Sequence, residues 1–200
     1  MKKSIYLISP KKIYSEFYVD LKKVLKTRKV KFFQLRLKKT PKNNIIKIAK
    51  KIKKITKIHK VKFLINDNFK IAKIVNADGC HLGQLDGSVI NAKKSLKDKI
   101  IGVTCHNSKS FAKIAIKDKA SYVAFGSFSK SRLKPNAQKA NLKILKWANK
   151  NINKPIVAIG GINNSNYKKL ISAGANYIAI SSYIWDNPKL KPEFAIKKFK

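Results

Sequence analysis

Short apolar runs alternate along this chain with segments whose apolar residues recur every three or four positions. Eight of the runs have strand-like composition, and they lie at 4–9, 31–37, 62–66, 79–83, 99–105, 122–128, 155–161 and 177–182. Helical spacing is clearest at 43–60, where Ile45, Ala49 and Ile52 share one stripe, and it recurs at 141–150. Apolar strands that each precede a helix are typical of a parallel sheet buried on both faces. Eight such units predict an α/β protein with a (β/α)8 barrel, a TIM barrel, and a doubly wound open sheet is the alternative.

The length and composition are those of one folded unit. The chain has 200 residues, of which 44% are hydrophobic, and this is enough to fill a substantial core. No linker or low-complexity insert interrupts the alternation, so we expect a single barrel domain over residues 1–200. The stretch 129–139, which is rich in polar residues, is predicted to be a long loop after the sixth strand.

Membrane insertion and export are not expected from this sequence. No apolar run reaches the roughly 18 residues that a membrane-spanning helix needs, and the first apolar run is too short for a signal peptide. The two cysteines, Cys80 and Cys105, lack CxxC spacing, so we expect reduced, buried thiols. The chain is therefore predicted to be a cytoplasmic protein without a membrane partner.

The formal charge of +38 is the most unusual global property of the chain. It comes from 47 basic against 9 acidic residues, and only Arg28, Arg36 and Arg132 among the basic residues are arginines. Proteins that read nucleic-acid bases favour arginine and concentrate their charge on one face, whereas these lysines occur in nearly every segment. We therefore expect a solvated, lysine-coated surface and no specific nucleic acid, with a basic nucleic-acid-associated protein as the alternative. A field this positive also favours small anionic ligands, including phosphates.

A barrel places its chemistry at the C-terminal ends of its strands and in the loops that follow. Residues that suit a ligand site follow nearly every predicted strand. They are Gln34, Arg36 and Lys38, Asn66 and Asp67, Gln84 and Asp86, Thr104 and His106, Ser131 and Lys134, Gly160 and Gly161, and Ser181 and Ser182. We therefore expect these residues to meet at one rim of the barrel.

Two of the nine acidic residues, Asp67 and Asp86, follow adjacent predicted strands, the third and the fourth. Paired carboxylates near cationic groups suit Mg²⁺, which takes one or two protein carboxylates and completes its shell with water and substrate phosphate. Two structural alternatives remain, in which Asp67 caps the helix that begins near Phe69 and Asp86 forms a turn with Gly87. Asp78, between the two in the sequence, is expected in the turn that enters the fourth strand.

Cations and glycines at other strand ends indicate a phosphate site. Arg36 and Lys38 alternate with Gln34 out of the second strand, and two cations without a local acid favour a phosphate or a diphosphate. The glycine pair 160–161 after the seventh strand either lets the backbone approach a phosphate or makes a tight turn only. His106 has a side chain suited to acid–base chemistry. No carboxylate in the sequence is visible as its orienting partner, so a structural role is the alternative.

Five stretches of the chain resemble those of the thiamine phosphate synthase family, which also contains the thiazole tautomerases. The stretches are QLRLK (34–38), LINDNFKIA (64–72), ADGCHLGQLD (77–86), GVTCHN (102–107) and PIVAIGGINNSN (155–166), and the similarity spans essentially the whole chain. The resemblance implies a (β/α)8 barrel that joins 4-amino-2-methyl-5-hydroxymethylpyrimidine diphosphate to a thiazole phosphate with release of pyrophosphate. In this family the diphosphate leaves first, and the thiazole nitrogen then attacks a pyrimidine methyl cation.

The resemblance also implies a role for each matching residue. Asp67 and Asp86 would ligate Mg²⁺, and Thr104 would keep a hydroxyl near the pyrimidine where the family commonly has a serine. Residues that would hold the pyrimidine diphosphate are Gln34, Arg36, Lys38, Asn66 and Lys134, of which Arg36, Lys38 and Lys134 would also act in catalysis. Residues that would bind the thiazole phosphate are Ser131, Gly161, Ser181 and Ser182.

The loop after the sixth strand departs from the family pattern. The family usually shows a threonine, one residue, a second threonine and a lysine, whereas this chain has Ser131, Arg132, Leu133 and Lys134. Ser131 keeps a hydroxyl and Leu133 does not, so a hydrogen bond worth about 0.5–3 kcal/mol is expected to be missing from thiazole binding. A thiazole tautomerase or another non-synthase relative is the alternative. Tautomerases typically lack the paired metal-binding acids, so the two acids of this chain favour the synthase.

Overall fold

Strands alternate with helices throughout the computed structural model, which describes residues 5–129 and 139–200. The strands are β1 (Ile5–Ile8), β2 (Val30–Leu35), β3 (Lys62–Asn66), β4 (Gly79–Leu82), β5 (Ile100–His106), β6 (Tyr122–Phe125), β7 (Ile156–Ile159) and β8 (Tyr177–Ile180). The helices are α1 (Phe17–Lys26), α2 (Lys42–Ile58), α3 (Phe69–Ile74), α4 (Val89–Leu96), α5 (Lys109–Lys117), α6 (Leu142–Asn151), α7 (Tyr167–Ser172), α8 (Ser182–Trp185) and α9 (Pro192–Ala195), with a 3₁₀ turn at Ile196–Lys198.

The strands close into a barrel in which each one pairs in parallel with its neighbours in chain order. Strand β8 returns to pair with β1, so that Ile5 lies beside Ile178 and Leu7 lies beside Ile180. The predicted (β/α)8 barrel is therefore confirmed. The open sheet is excluded, because the pairing of β1 with β8 leaves no sheet edge.

Most of the predicted strands extend further than the observed ones at their C-terminal ends, and β3 and β5 are exceptions. The run 31–37 leaves the sheet after Leu35, and the run 155–161 leaves it after Ile159. The glycine pair 160–161 has φ angles of 102° and 63°, which turn the chain out of the sheet. The apolar runs do not reveal these two ends, because Leu37 lies past the end of β2 and two glycines follow β7. Rim residues such as Arg36 therefore lie in loops just past the strands.

Helix burial follows the apolar spacing in the sequence. In α2 the side chains of Ala49 and Ile52 are fully buried and Ile55 is nearly so, whereas Ile45 is half-buried near the start of the helix. In α6 the side chain of Leu145 is fully buried. Each of these helices thus covers the outer face of the strands with one apolar stripe. Across 5–129 and 139–200, no helix combines the length and the apolar character needed to cross a membrane.

The barrel interior holds a second apolar cluster, separate from the layer between strands and helices. Because side chains alternate across a strand, every other strand residue faces inward. The buried members of this cluster are Tyr6, Ile8, Phe32, Leu64, Tyr122, Ala124, Val157 and Ala179. Gly102 of β5 makes room for the Tyr122 ring, since a Cβ at this position would lie 1.8 Å from a ring carbon.

Asp78 ties the N-terminal ends of β3 and β4 together. Its carboxylate accepts a 2.9 Å hydrogen bond from the Phe63 backbone N–H and lies 3.2 Å from the Lys62 ammonium group. The Asp78 N–H donates in turn to the Phe63 carbonyl oxygen. The expected place of Asp78 in the turn before the fourth strand is confirmed. Because the strands are parallel, this carboxylate lies at the opposite end of the barrel from Asp67 and Asp86.

The two cysteines are free, buried thiols, as the sequence predicts. Cys80 and Cys105 both belong to the layer between the barrel and its helices. Burial raises the pKa of each thiol to about 12. Neither side chain is therefore a thiolate near neutral pH, and both act as small apolar groups in the core.

We expect Gly102→Ala to destabilise the barrel. The added methyl group would overlap the Tyr122 ring, and overpacking of a filled core costs about 1–3 kcal/mol of unfolding free energy. Chemical denaturation followed by circular dichroism measures this loss as a lower midpoint. The matched control compares Tyr122→Ala, which lacks the ring, with the double variant that also carries Gly102→Ala. The same loss in that background would show that the ring does not set the available space.

Candidate active site

The loop after β3 brings the first of the two predicted metal-binding acids to the rim. Asp67 directly follows β3 in a left-handed backbone conformation, with φ of 63°, and its N–H donates to the His81 carbonyl oxygen over 2.7 Å. This bond holds the residue against β4. Helix α3 is capped by Asn68, whose side-chain oxygen accepts from the Ile71 N–H. The alternative in which Asp67 caps this helix is therefore wrong.

Asp86 reaches the same rim from a tight turn after β4. Its carboxylate accepts a 2.9 Å hydrogen bond from the Gly83 N–H, and its own N–H donates to the Gly83 carbonyl oxygen over 3.4 Å. A Cβ on residue 83 would lie 2.5 Å from this carboxylate, so glycine is what allows the close approach. The turn expected at Asp86 and Gly87 is present, with φ of 108° at Gly87. It holds the carboxylate in place, so the turn and the rim position are compatible.

The carboxyl groups of Asp67 and Asp86 are direct neighbours. Burial, and then the hydrogen bond and the charge of Asp67, raise the pKa of Asp86, while the Gly83 N–H and the charge of Lys38 oppose this rise. Lys38 also offsets part of the negative charge, since its ammonium group lies 3.1 Å from an Asp67 carboxylate oxygen. Two like charges in contact favour either a shared proton or a bound cation.

The carboxyl pair fits a hard divalent cation. Mg²⁺ is usually held by one or two carboxylates, and water and substrate phosphate fill its other positions. Within residues 5–129 and 139–200, no third His, Cys, Asp or Glu joins the pair in a group that could hold a metal ion. A cation at this rim would therefore take the rest of its shell from water and from ligand oxygens.

Polar groups at the end of β2 face the same rim. Gln34 is buried, and its amide nitrogen donates to the Asn66 side-chain oxygen over 2.5 Å. This bond orients both amides, so that Asn66 keeps its NH₂ group as a donor. The Arg36 N–H donates to the Ser9 hydroxyl over 3.0 Å, which ties the loop after β2 to the end of β1. The backbone that carries Arg36 is thus held in place while its side chain is half-buried.

A buried histidine lies beneath these rim groups. His81 of β4 is 6% exposed, and its two ring nitrogens lie 2.8 Å from the hydroxyl oxygens of Tyr122 and Thr104. The Tyr122 hydroxyl lies 2.8 Å from that of Tyr6. Burial lowers the pKa of His81 to about 4, so its ring is neutral near neutral pH. Thr104, predicted to lie near the substrate, is therefore joined to a polar chain inside the barrel.

The sequence pattern alone does not assign His81 to the site. The available signal is the alternation in β4, because His81 shares the inward face with Gly79 and Gly83, which have no side chains to fill the interior. A polar side chain between two inward glycines indicates a partner inside the barrel. That partner, Tyr122, is 41 residues away and becomes visible only when the pairing of β4, β5 and β6 is known.

The ends of β7 and β8 offer backbone and hydroxyl groups at the rim. The Gly161 carbonyl oxygen accepts a 2.9 Å hydrogen bond from the Asn166 side chain, which supports the loop after β7. The Ser181 hydroxyl donates to the Ser9 carbonyl oxygen over 2.9 Å, so its proton is used within the protein. Ser182 is exposed at the first position of α8. Its hydroxyl is therefore better placed than that of Ser181 to donate to a ligand.

The structure reports the positions of the candidate residues above, and their ligand roles stay predictions, as do those of Ser131, Lys134 and His106. Ser131 and Lys134 lie outside the residues that the structure describes. His106 ends β5 with φ of 52°, and its ring lies edge-on to Phe111 with 6.5 Å between the ring centroids. Both roles considered for His106, acid–base and structural, are compatible with this position.

The closed barrel and its rim of carboxylates, cations and glycines define a class of protein, the TIM-barrel enzymes with their site at the C-terminal ends of the strands. The profile of the thiamine monophosphate synthase family matches residues 5–184. The chain therefore belongs to this family, and the resemblance drawn from its five sequence stretches is confirmed.

Individual relatives match nearly the whole chain. The thiamine-phosphate synthase of Pelagibacter ubique is 58% identical over 200 residues, which cover 100% of this chain and 97% of the relative. The thiamine-phosphate synthase of Erythrobacter litoralis is 39% identical over 186 residues, which cover 90% of this chain and 87% of the relative. The structure of a thiamine phosphate pyrophosphorylase from Pyrococcus furiosus is 26% identical, covers 99% of this chain and 94% of that one, and has a TM-score of 0.88.

We expect Asp86→Asn to raise the stability of the protein at neutral pH when divalent cations are removed. The folded-state pKa of Asp86 is raised, so its charged form is disfavoured in the folded protein. The amide keeps an acceptor for the Gly83 N–H and removes the charge beside Asp67. The gain should shrink as the pH falls through the folded-state pKa and should vanish below about 3.9, the ordinary pKa of aspartate.

Chemical denaturation in the presence of a chelator, repeated from neutral to acidic pH, measures this gain. Asp98→Asn is the matched control, because it removes an exposed carboxylate before β5, at the opposite end of the barrel. An equal gain from the control, or a gain that does not change with pH, would show that the contact between the two rim carboxyl groups is not the cause.

Proposed function

We propose that this protein is a thiamine phosphate synthase. The reaction joins 4-amino-2-methyl-5-hydroxymethylpyrimidine diphosphate to a thiazole phosphate and releases pyrophosphate. The observation that carries the proposal is the contact between the Asp67 and Asp86 carboxyl groups, with Lys38 beside them, at the rim of a barrel of this family. Two relatives named thiamine-phosphate synthase match most of the chain, which supports the same activity here.

Mg²⁺ is the cofactor that we propose for the carboxyl pair. Asp67 and Asp86 would hold it, because oxygen ligands suit a hard cation that also binds phosphate oxygens. When bound, Mg²⁺ would supply stabilisation of the charge on the departing diphosphate. Backbone groups hold both residues in place, since the Asp67 N–H donates to the His81 carbonyl oxygen and the Asp86 carboxylate accepts from the Gly83 N–H.

Cationic side chains would hold the diphosphate and stabilise it as it leaves. Arg36, Lys38 and Lys134 carry the charge that matches the oxygens of a breaking C–O bond. The Lys38 side chain is 54% exposed, so it has room to turn from its carboxylate partner to the diphosphate. Gln34 would act mainly by orienting Asn66, whose NH₂ group would donate to the substrate.

The proposed reaction needs no nucleophile from the protein. The bond between the pyrimidine methylene carbon and the diphosphate oxygen breaks, and its electron pair leaves with pyrophosphate. The lone pair of the thiazole nitrogen then forms the new C–N bond. Cys80 and Cys105 are buried with pKa values raised to about 12, so neither thiol competes as a thiolate. The protein would contribute electrostatic stabilisation and positioning.

The thiazole phosphate would bind at the ends of β7 and β8, where many barrels bind phosphate. Gly161 and Ser182 would offer backbone and hydroxyl donors to it. Ser181 would contribute through its backbone, because its hydroxyl donates to the Ser9 carbonyl oxygen. Ser131, outside the described residues, would add a second hydroxyl from the loop after β6.

We also infer that the enzyme works in the cytoplasm on these two small anionic substrates, without a membrane or a specific nucleic acid as partner. The reduced, buried thiols support this location. The 47 basic residues, with only three arginines among them, support a diffuse positive field that attracts phosphates. The carboxyl pair disfavours a thiazole tautomerase, because an isomerisation that releases no diphosphate has no need of such a cation site.

We expect the purified protein to form thiamine phosphate and pyrophosphate from the two substrates when Mg²⁺ is present. Asp67→Asn and Asp86→Asn should each lower kcat about 100-fold or more, because they remove charge that acts on the developing transition state. Asparagine tolerates the left-handed conformation of residue 67, so the backbone is kept while the charge is lost. Chromatography of stopped reactions measures both products.

The exposed Asp98→Asn variant, at the opposite end of the barrel, should keep wild-type turnover and serves as the matched control. Circular dichroism spectra of all variants should match the wild-type spectrum. Full activity of both rim variants would contradict the proposed metal site. Isomerisation of the thiazole without formation of thiamine phosphate would contradict the synthase itself.

A further inference from the structure

A continuous chain of hydrogen bonds runs through the barrel interior to the rim. It links the Tyr6 hydroxyl, the Tyr122 hydroxyl, the two ring nitrogens of His81 and the Thr104 hydroxyl, and each step is 2.8 Å. Tyr6, Tyr122 and His81 are 1%, 2% and 6% exposed, so their hydrogen-bond partners come from within the protein. Thr104 is half-buried, and it forms the end of the chain at the barrel mouth.

The protons of this chain can be arranged in two directions. Neutral His81 has one N–H donor and one acceptor nitrogen. In the outward direction, Tyr6 donates to Tyr122, Tyr122 donates to Nδ1 of His81, and the Nε2–H group donates to Thr104. In the inward direction every donor and acceptor is exchanged. The Thr104 hydroxyl then donates to His81, and the Tyr6 hydroxyl is the group whose proton has no acceptor within the chain.

The inward direction leaves a buried proton without an acceptor. Among the hydrogen bonds of the described residues, the Tyr6 hydroxyl is joined to that of Tyr122 alone. Its surroundings are apolar, with the Phe32 ring 5.5 Å away between centroids. A buried hydroxyl proton without a partner is unfavourable. The outward direction satisfies every buried proton, and it leaves the Thr104 proton for a ligand at the mouth.

The neighbouring residues are arranged to admit this chain and to hold its outer end. The Tyr122 ring occupies the space that a side chain at Gly102 would fill. The Gln84 side-chain nitrogen donates to the Thr104 carbonyl oxygen, which fixes the backbone from which the hydroxyl projects. The position and the proton direction of the Thr104 hydroxyl are thus set by different contacts.

We propose that Tyr6, Tyr122 and His81 hold the Thr104 hydroxyl as a hydrogen-bond donor to a ring nitrogen of the pyrimidine substrate. The inference rests on the proposed function, in which Thr104 lies beside the pyrimidine. A ring nitrogen accepts hydrogen bonds, whereas the 4-amino group chiefly donates them. The direction of the chain therefore selects which edge of the ring faces Thr104. His81 and Tyr122 are positioning residues in this role, because they act through Thr104.

NMR of protein labelled with ¹⁵N-histidine tests the direction of the chain. The protein has three histidines, and the His81 signals are identified by their absence from His81→Gln. We expect His81 to be the neutral Nε2–H tautomer at neutral pH, and we expect Tyr122→Phe to keep this tautomer, because an Nδ1–H group would then have no acceptor. An Nδ1–H tautomer in the wild-type protein would overturn the proposal. This measurement needs no turnover, so its outcome is separate from any failure of the synthase activity.

Steady-state kinetics distinguish positioning from a structural role. Thr104→Val removes one hydrogen bond to the substrate, and Tyr122→Phe removes the bond that holds the His81 ring beside Thr104. Each variant should therefore lower kcat/KM for the pyrimidine diphosphate roughly three- to tenfold. If Tyr122 acts through Thr104, the double variant loses no more than Thr104→Val alone. Losses that multiply would overturn the proposal. Thr104→Ser, which keeps the hydroxyl, should recover most of the kcat/KM that Thr104→Val loses.

Tyr177→Phe is the matched control for Tyr122→Phe. The Tyr177 ring lies edge-on to Phe32 in the same interior, but its hydroxyl is not part of the chain. This variant should leave kcat/KM unchanged. Denaturation midpoints of both tyrosine variants, compared with the wild-type midpoint, show whether either substitution disturbs folding.

A substrate analogue without the 4-amino group tests which edge of the pyrimidine Thr104 meets. The analogue keeps both ring nitrogens and lacks the amino donors. The ratio of dissociation constants between Thr104→Val and the wild-type protein should therefore be the same for the analogue as for the natural diphosphate. A ratio that disappears with the analogue would show that Thr104 accepts from the amino group, and it would overturn the proposal.

Discussion

The two-residue alternation of side chains in a closed barrel is the constraint from which the site follows. Closure of the barrel leaves one set of side chains inside. Along each strand, successive members of that set lie closer to the rim. In β2 the inward Phe32 is followed two positions later by Gln34, and in β3 the inward Leu64 is followed by Asn66. The same face of a strand thus carries apolar side chains inside the barrel and polar side chains near the rim. This is why a polar site can lie at the mouth without interrupting the core.

The contact between two carboxyl groups is unusual in a chain with 47 basic and 9 acidic residues. The chain has enough basic residues for every acidic side chain to pair with a cation. At the other end of the barrel Asp78 does pair with Lys62. At the rim, Lys38 pairs with Asp67 and yet Asp86 still lies against that carboxyl group. Backbone hydrogen bonds hold the two residues in place, and a glycine leaves space for the Asp86 carboxylate. The contact between the two carboxyl groups is therefore set by the local structure and not by the composition of the chain. Unfavourable contacts that the surrounding structure enforces are characteristic of functional sites.

Features that depend on local pattern are visible in the sequence, and features that depend on pairing between distant strands are not. The stripe of α2 and the order of strands and helices are local, and both are predicted correctly. The bond between Tyr6 and Tyr122 joins residues 116 positions apart, and the bond between Ser181 and Ser9 joins residues 172 apart. Asp67 shows a second limit, because it and its neighbour have equally suitable side chains for a helix cap. Only the backbone angles decide between them.

One backbone conformation serves different purposes at the two ends of the barrel. Non-glycine residues with positive φ follow five of the helices, and these are Arg28, Lys60, Asn76, Lys97 and Lys119. Glycine is the usual residue at such helix ends, and a side chain there costs about 1 kcal/mol. This chain has only 8 glycines among 200 residues, so these turns carry the long polar residues that dominate its composition. Asp67 adopts the same conformation after β3, but it is one of only nine acidic residues and its carboxyl group meets another. Residue 67 thus combines a left-handed backbone with a carboxyl group in a fixed place. The fold needs only the first of these two features, so the second indicates a functional requirement.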